Sequence, residues 1–425
     1  MLVAEWHSIE GGTMMRYFRS LIFCGLLCVF ISPVSPVSPV WGGEVLDSCD
    51  GKIGALLIDN KMYYEINIQP EFIFGQLKMG LDIPLRWNDE DGIRKEDWDG
   101  KEDVATIFRY VQWAEKKAKP LYFRVGNIDK ATLGNGFIVR DYANMSREDT
   151  KKEKNTLTPH KRTLGSTIDF NLNAGGLETI VNDIVSPRLY GLRCFVRPLT
   201  TMPVMQNTEI GFSYVTDTKA GTNTELKKDL TVYGMDFFIP VFREYVTIYG
   251  DYADIKDAGN GIGYGIKGGF GMIESFRTDW GLGYRKDDDN FIYGLFDSSY
   301  EVVKPIPTAI KTTQNKVACG NINFNIMKAI TLGFYYEDAK NSNPYLISQL
   351  TVDKNVFHAI TKQRIGVDVF YNQKDIKESK KNITLTTQTT YGLSDNIDMV
   401  YSMKKYYDNE GKFFKTSSMS TNVKF

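Results

Sequence analysis

The strongest constraint on the fold is a long series of segments in which apolar and polar residues alternate. In 321–326 (NINFNI), Ile322, Phe324 and Ile326 share one face, and the asparagines between them share the other. A period of two is typical of a β-strand whose faces meet different surroundings. Similar segments lie at 62–69, 77–87, 121–128, 162–172, 188–198, 208–217, 228–241, 245–256, 261–272, 275–286, 291–303, 329–340, 364–371, 382–391, 396–408 and 413–425.

The length of these segments separates two kinds of β-protein. Strands of soluble proteins average about 5–6 residues, whereas a tilted strand that crosses a bilayer needs about 9–11 residues, which most of these segments reach. In hydrocarbon every backbone N–H and C=O must pair within the protein, so a spanning sheet has to close on itself. The pattern predicts an all-β fold, a closed antiparallel transmembrane β-barrel of about 18 strands, within a range of about 16–20.

The N-terminal region has the features of an export signal. Arg16 and Arg19 precede an apolar run at 21–31, which is too short to span a bilayer as a helix. We expect residues 1–42 to be an upstream extension plus a cleaved signal peptide, 43–61 a mature N-terminal segment, and 62–425 the barrel. A retained anchor helix and lipidation at Cys49 are the alternatives.

One segment fits two kinds of secondary structure. Val104, Ile107, Phe108 and Val111 fall at helical spacing, and a helix here would lie in the lumen or the periplasm. The same residues also allow a strand from Ile107 to Trp113, which we favour.

The chain ends on an alternating segment that an aromatic residue closes. Met419, Thr421, Val423 and Phe425 fall on one face. This ending resembles the signal that bacterial outer-membrane barrels present to their assembly machinery, and 122–144 resembles a motif of uncharacterised bacterial outer-membrane proteins. The resemblance implies a Gram-negative outer-membrane location, with membrane lipid and the barrel-assembly machinery as partners. It leaves a monomer and a homo-oligomer both open.

The size of the chain favours a porin-like channel for passive diffusion of small solutes. Barrels of about 16–18 strands enclose an aqueous channel. The alternative is a surface-exposed, adhesin-like barrel with an occluded lumen and partner-binding loops. An enzyme is not expected, because His160 and His358 have no nucleophile or carboxylate at motif spacing. The balance of 51 Lys+Arg against 52 Asp+Glu gives no reason to expect a nucleic-acid partner.

Four arginines are candidates for the lining of the lumen. A charged group on the lipid face costs about 2–4 kcal/mol at the bilayer midplane, so arginines in strands are expected to face inward. Inward arginines can bias a pore toward anions, or they can pair with inward carboxylates such as Asp82, Asp169 and Asp368 and stabilise the wall. Arg188 falls on the opposite face from Arg193, so the orientation of this strand stays open. The candidates are Arg86, Arg124, Arg193 and Arg197.

No cofactor or metal site is expected. The acidic run at 88–103 departs from calcium-loop spacing, because Trp87 takes the place of the first ligand, so we expect a solvated loop. The glycines of 261–271 lack the Lys-Ser/Thr of a phosphate loop and should allow close packing or curvature. The polar stretch 142–161 is expected to form either a constriction or an outward-facing loop.

Overall fold

The computed structural model describes residues 46–58, 61–98, 107–144, 146–147, 160–161, 163–220, 229–242, 245–272, 274–298, 300–303, 315–341, 343–374, 376, 383–407 and 412–424. The expected signal peptide and Phe425 lie outside these residues.

Long strands make up most of the described chain. The strands are β1 (Leu46–Ile58), β2 (Lys61–Phe74), β3 (Leu77–Leu81), β4 (Ile83–Asn88), β5 (Gly92–Ile93), β6 (Phe108–Trp113), β7 (Leu121–Gly126), β8 (Ser146–Arg147), β9 (His160–Lys161), β10 (Gly165–Leu172), β11 (Gly175–Val181), β12 (Leu189–Val196), β13 (Glu209–Asp217), β14 (Leu230–Phe242), β15 (Val246–Ile255), β16 (Gly259–Met272), β17 (Phe276–Asp287), β18 (Asn315–Ile326), β19 (Ile330–Ala339), β20 (Tyr345–Val352), β21 (Arg364–Lys374), β22 (Ile383–Gly392), β23 (Ile397–Tyr407) and β24 (Phe413–Lys424). The short helices are a 3-10 turn at Lys95–Asp97, α1 (Tyr300–Val303) and α2 (His358–Thr361).

The strands close into one antiparallel barrel. β3 and β4 form a single wall strand interrupted at Asp82, and both pair with β2. The described wall then runs in chain order from β6 and β7 to β24, and β8 and β9 form a separate small sheet. β24 pairs with β1 through Thr421 and Ile53, so the wall has no free edge. The barrel of the described residues has 20 strands, which confirms the predicted fold class and lies within the predicted range.

The two faces of the wall differ as the alternation predicts. In β12, Leu189, Arg193 and Phe195 are buried inside, whereas Leu192 and Val196 are exposed outside. Large apolar side chains are exposed outside on most of the wall strands, among them Ile168, Phe212, Met235, Ile262, Leu282 and Phe334. A soluble protein would bury such a surface, whereas hydrocarbon is the solvent that suits it. The architecture is therefore that of a transmembrane β-barrel.

No helix of the described residues is long and apolar enough to cross a membrane.

The structure also changes three details of the sequence interpretation. β1 carries the wall back to Leu46, past the boundary expected at residue 62. The strand predicted for 291–303 is wrong, because this stretch lies inside the barrel and ends in α1. The sequence pattern also missed β11 and β20. The strand favoured at 107–113 is confirmed as β6.

We predict that Thr421→Pro prevents closure of the barrel. Thr421 pairs with Met399 on one side and Ile53 on the other, and proline cannot donate to a sheet ladder. Refolding into detergent, followed by the shift in gel mobility between unheated and heated samples, measures closure. Thr421→Val, which keeps the N–H, is the control. A Pro variant that refolds as completely as the Val variant would contradict this role of the seam.

Candidate functional site: a partly filled lumen

Two loops that connect wall strands fold back into the lumen. We define the first inner loop as 127–144, after β7, and the second inner loop as 288–303, after β17. The loops pair side by side: the N–H of Phe296 donates to the C=O of Ile138 at 3.1 Å, and the N–H of Arg140 donates to the C=O of Phe296 at 3.0 Å. Each loop thereby satisfies backbone groups of the other, which a loop inside a protein requires.

The inner loops pack on one side of the barrel and form an apolar cluster there. Their buried side chains meet inward residues of β11–β15. The cluster comprises Ile128, Ala131, Leu133, Phe137, Ile138, Val139, Tyr142, Ile180, Leu189, Val215, Ala220, Leu230, Val232, Ala253, Ile255, Phe291, Leu295, Phe296 and Tyr300. Apolar inward residues on these strands therefore form a core, so this part of the lumen is packed protein.

The glycines of β16 make room for this packing. A Cβ atom at Gly261 would lie 2.4 Å from the ring of Phe291, and one at Gly263 would lie 2.7 Å from the ring of Phe137. Both distances are too short for any larger residue without a shift of the loops. The inward glycine face, which the alternation already indicated, allows close approach of the inner loops.

A buried polar cluster fastens the second inner loop to the wall. The Arg188 guanidinium forms ion pairs with Asp217, at the end of β13, and with Glu301 in α1. Tyr142 donates to Glu301, and Tyr300 donates to Asp217 at 2.8 Å. Burial raises the pKa of the Tyr142 phenol above its usual range, so it remains a donor to Glu301 at ordinary pH. We call Tyr142, Arg188, Asp217, Tyr300 and Glu301 the loop anchor.

Arg193 and Arg197 face inward and are neutralised there. The Arg193 side chain is 1% exposed, and it pairs with Asp236 at 2.6 Å and Glu178 at 3.2 Å. Arg197 pairs with Glu209 at 2.7 Å. Because carboxylates surround both arginines, their positive charges give no field that would attract anions into the lumen. This pairing supports stabilisation of the wall, the second role considered for these arginines.

Arg86 and Arg124 also lie on the inner face and have acidic partners. Arg86 pairs with Glu65 on the neighbouring strand at 2.6 Å and with Asp97 at 3.1 Å. Arg124 pairs with Asp129 at 3.1 Å. The carboxylates that neutralise the four predicted arginines differ from those that the sequence suggested, because cross-strand neighbours depend on register.

Arg140, which was not a sequence candidate, has a different environment. Among the arginine side chains that the structure describes, it alone has no carboxylate within ion-pair distance. Its guanidinium carbon lies 5.7 Å from the ring centroid of Tyr293 and 5.6 Å from that of Tyr335 on the wall. The only signal in the sequence was its position in the 122–144 motif. Arg140 is therefore the least compensated of the arginine side chains that the structure describes.

The opposite side of the lumen has a mostly uncharged polar lining. The register places mostly amide and hydroxyl side chains on the inner face of β18–β22, and these side chains are at least partly exposed. They are Asn321, Asn323, Asn325, Thr331, Gln349, Thr351, Asn372, Thr384, Thr386, Gln388 and Thr390. Such a lining can stay hydrated, because amide and hydroxyl groups form hydrogen bonds with water.

The acidic run beyond β4 uses its carboxylates internally. Asp91 accepts from Lys61 at 2.6 Å, and Asp97 pairs with Arg86. The described part of the chain contains no group of three or more His, Cys, Asp or Glu side chains placed to hold a metal ion. Residues 99–103 of this run, and most of 142–161, lie outside the described residues.

Comparison with known proteins gives a likeness of structure only. No protein-family model matches the chain, and no curated protein matches it. The chain is similar to Pseudomonas aeruginosa OccK8 (OprE), at 9% identity and a TM-score of 0.38, with 89% of this chain and 95% of that chain covered. It is similar to Acinetobacter baumannii OccAB2, at 7% identity and a TM-score of 0.39, with 90% of this chain and 99% of that chain covered. It is also similar to a BenF-like porin from Pseudomonas fluorescens Pf-5, at 8% identity and a TM-score of 0.38, with 89% of this chain and 97% of that chain covered.

We predict that Glu301→Gln loosens the second inner loop. The change removes the charge that faces Arg188, and a hydrogen bond to a charged group contributes about 1.5–3 kcal/mol. Chymotrypsin, which cleaves after aromatic residues such as Phe291 and Tyr300, should then cut the second inner loop of the folded, detergent-solubilised protein faster than in the parent chain. Glu274→Gln, in an exposed ion pair with Lys328, is the matched control. Equal cleavage rates in the two variants would show that the loop anchor does not hold the loop.

Proposed function

We propose that this protein is a porin-like channel of the bacterial outer membrane for passive diffusion of small solutes. The observation that carries the proposal is the division of the lumen: the inner loops fill the side of β11–β15, and a hydrated, mostly uncharged lining remains on the side of β18–β22. The apolar outer face supports a membrane location, because only hydrocarbon suits such a surface. The function needs a path of suitable width and charge, and no catalytic group.

Export and assembly belong to the same proposal. Residues 1–42 direct the chain out of the cytoplasm, and the outer-face residues Met419, Thr421 and Val423 of β24 serve as the assembly signal. Met419 is 62% exposed, so it is open to a binding partner before the barrel is surrounded by lipid.

Ion conductance tests the channel directly. The mature protein, refolded in detergent and inserted into a planar bilayer, should give discrete and reproducible current steps. A correctly folded barrel that inserts and passes no current would contradict the channel. That outcome would favour the adhesin-like barrel, for which the packed inner loops are the supporting observation.

We predict that Arg140, rather than the four paired arginines, sets any preference for anions. An uncompensated charge beside a pore acts on passing ions, whereas a charge in contact with a carboxylate is largely cancelled. Arg140→Gln should lower the anion-to-cation permeability ratio by about twofold or more, measured as a reversal potential across a KCl gradient.

The double variant Arg124→Gln/Asp129→Asn is the matched control, because it removes an inward arginine together with its carboxylate partner and leaves the net charge unchanged. We expect this variant to leave the reversal potential close to that of the parent chain. A larger shift for the Arg124/Asp129 double variant than for Arg140→Gln would refute the assignment to Arg140.

A further inference from the structure

Phe370 departs from the rule that the rest of the wall follows. Among the described strand residues whose pairing fixes their face, exposed large apolar side chains lie outside, except for Phe370. It pairs with Gln349 on β20 and Thr386 on β22, both on the inner face, and its side chain is 37% exposed. The ring therefore faces the aqueous lumen, where it has neither lipid nor a packed core around it.

The neighbours of Phe370 form a compact polar grid. Asp368 lies two residues earlier on the same face of β21 and pairs with Thr351 and Gln388. Three adjacent strands span about 10 Å, and two residues along a strand span about 7 Å, so the grid matches one or two sugar-sized rings. We define the inner patch as Gln349, Thr351, Asp368, Phe370, Thr386 and Gln388.

The chemistry of the inner patch suits one class of solute. Amide and hydroxyl groups both donate and accept hydrogen bonds, and a carboxylate accepts two or more. The face of an aromatic ring offers a flat apolar surface with a negative quadrupole, which attracts the weakly positive hydrogens of C–H groups. A molecule with hydroxyls at its edge and C–H groups on its face satisfies both parts of the patch.

The patch is a poor match for other solutes. Asp368 would repel an anion, and Lys404, which faces inward beside Thr386 on the next strand, would repel a cation. A hard cation such as Ca²⁺ prefers six to eight oxygen ligands, and an entirely apolar solute would leave the polar groups without partners.

We propose that the inner patch binds an uncharged, polyhydroxylated solute of the carbohydrate class, with a ring face on Phe370 and hydroxyl groups donating to Asp368. This inference rests on the proposed function, because the patch meets such solutes in a lumen that admits them. It names the substrate class for that channel.

Binding of raffinose, an uncharged trisaccharide, tests the inner patch without any need for conduction. Saturation-transfer NMR on the detergent-folded protein should detect raffinose, and Phe370→Ala should weaken its binding about tenfold, as the loss of an aromatic contact does. Asp368→Asn, which keeps the size of the side chain, should also weaken binding. Val369→Ala, one residue away on the outer face, and Thr387→Val, beside Thr386 on the outer face, should leave binding unchanged.

The same variants in a planar bilayer separate this inference from the proposed function. We expect raffinose to block the current of the parent chain in a saturable way, and a polyethylene glycol of equal size not to do so. Current without detectable raffinose binding would overturn the inference and leave the channel intact. Raffinose binding that Phe370→Ala weakens, in a barrel that passes no current, would support the site and contradict the channel. Equal binding by the Phe370 and Val369 variants would also overturn the inference.

Discussion

The pairing of β24 with β1 is the constraint on which the rest of the structure depends. A sheet in hydrocarbon cannot leave an edge unpaired, because each free N–H or C=O has no water to bind. Thr421 and Ile53 close the last gap with the first strand of the wall. Once the sheet is closed, each strand has one face toward lipid and one toward the lumen, and the alternation in the sequence acquires its physical meaning.

The closed wall leaves an interior too wide for its own side chains to fill. On the side of β11–β15 the two inner loops fill it, fastened by Arg188 between Asp217 and Glu301. On the side of β18–β22 the inner face stays polar and hydrated. In the proposed channel, the inner loops therefore determine where a solute can pass, and the residues opposite them, including Phe370 and Asp368, determine what it contacts.

The sequence predicts the parts of this architecture that depend on local alternation. The two faces of β22 follow from the period of two alone: Thr384 and Thr386 lie on the inner face, and Ile383 and Leu385 lie on the outer face. The inner loops could not be predicted in this way. Phe291, Tyr293 and Leu295 alternate like a membrane strand, although Phe291 and Leu295 pack in a core inside the barrel. A period of two does not distinguish lipid from a protein interior, and the partners of Arg193 depend on register between distant segments.

The most direct test of the whole account is to measure whether water or lipid surrounds each of two adjacent side chains of β22. The test uses the chain from residue 43 onward, which lacks Cys24 and Cys28, with Cys49, Cys194 and Cys319 replaced by alanine. In this background Thr386→Cys and Thr387→Cys differ only in the face they occupy. After reconstitution in vesicles, a charged, water-soluble thiol reagent should modify Cys at 386 rapidly, and a fluorophore attached at 387 should be quenched by brominated lipid. Equal reaction at both positions, or lipid quenching at 386, would contradict a barrel with a hydrated lumen on this side.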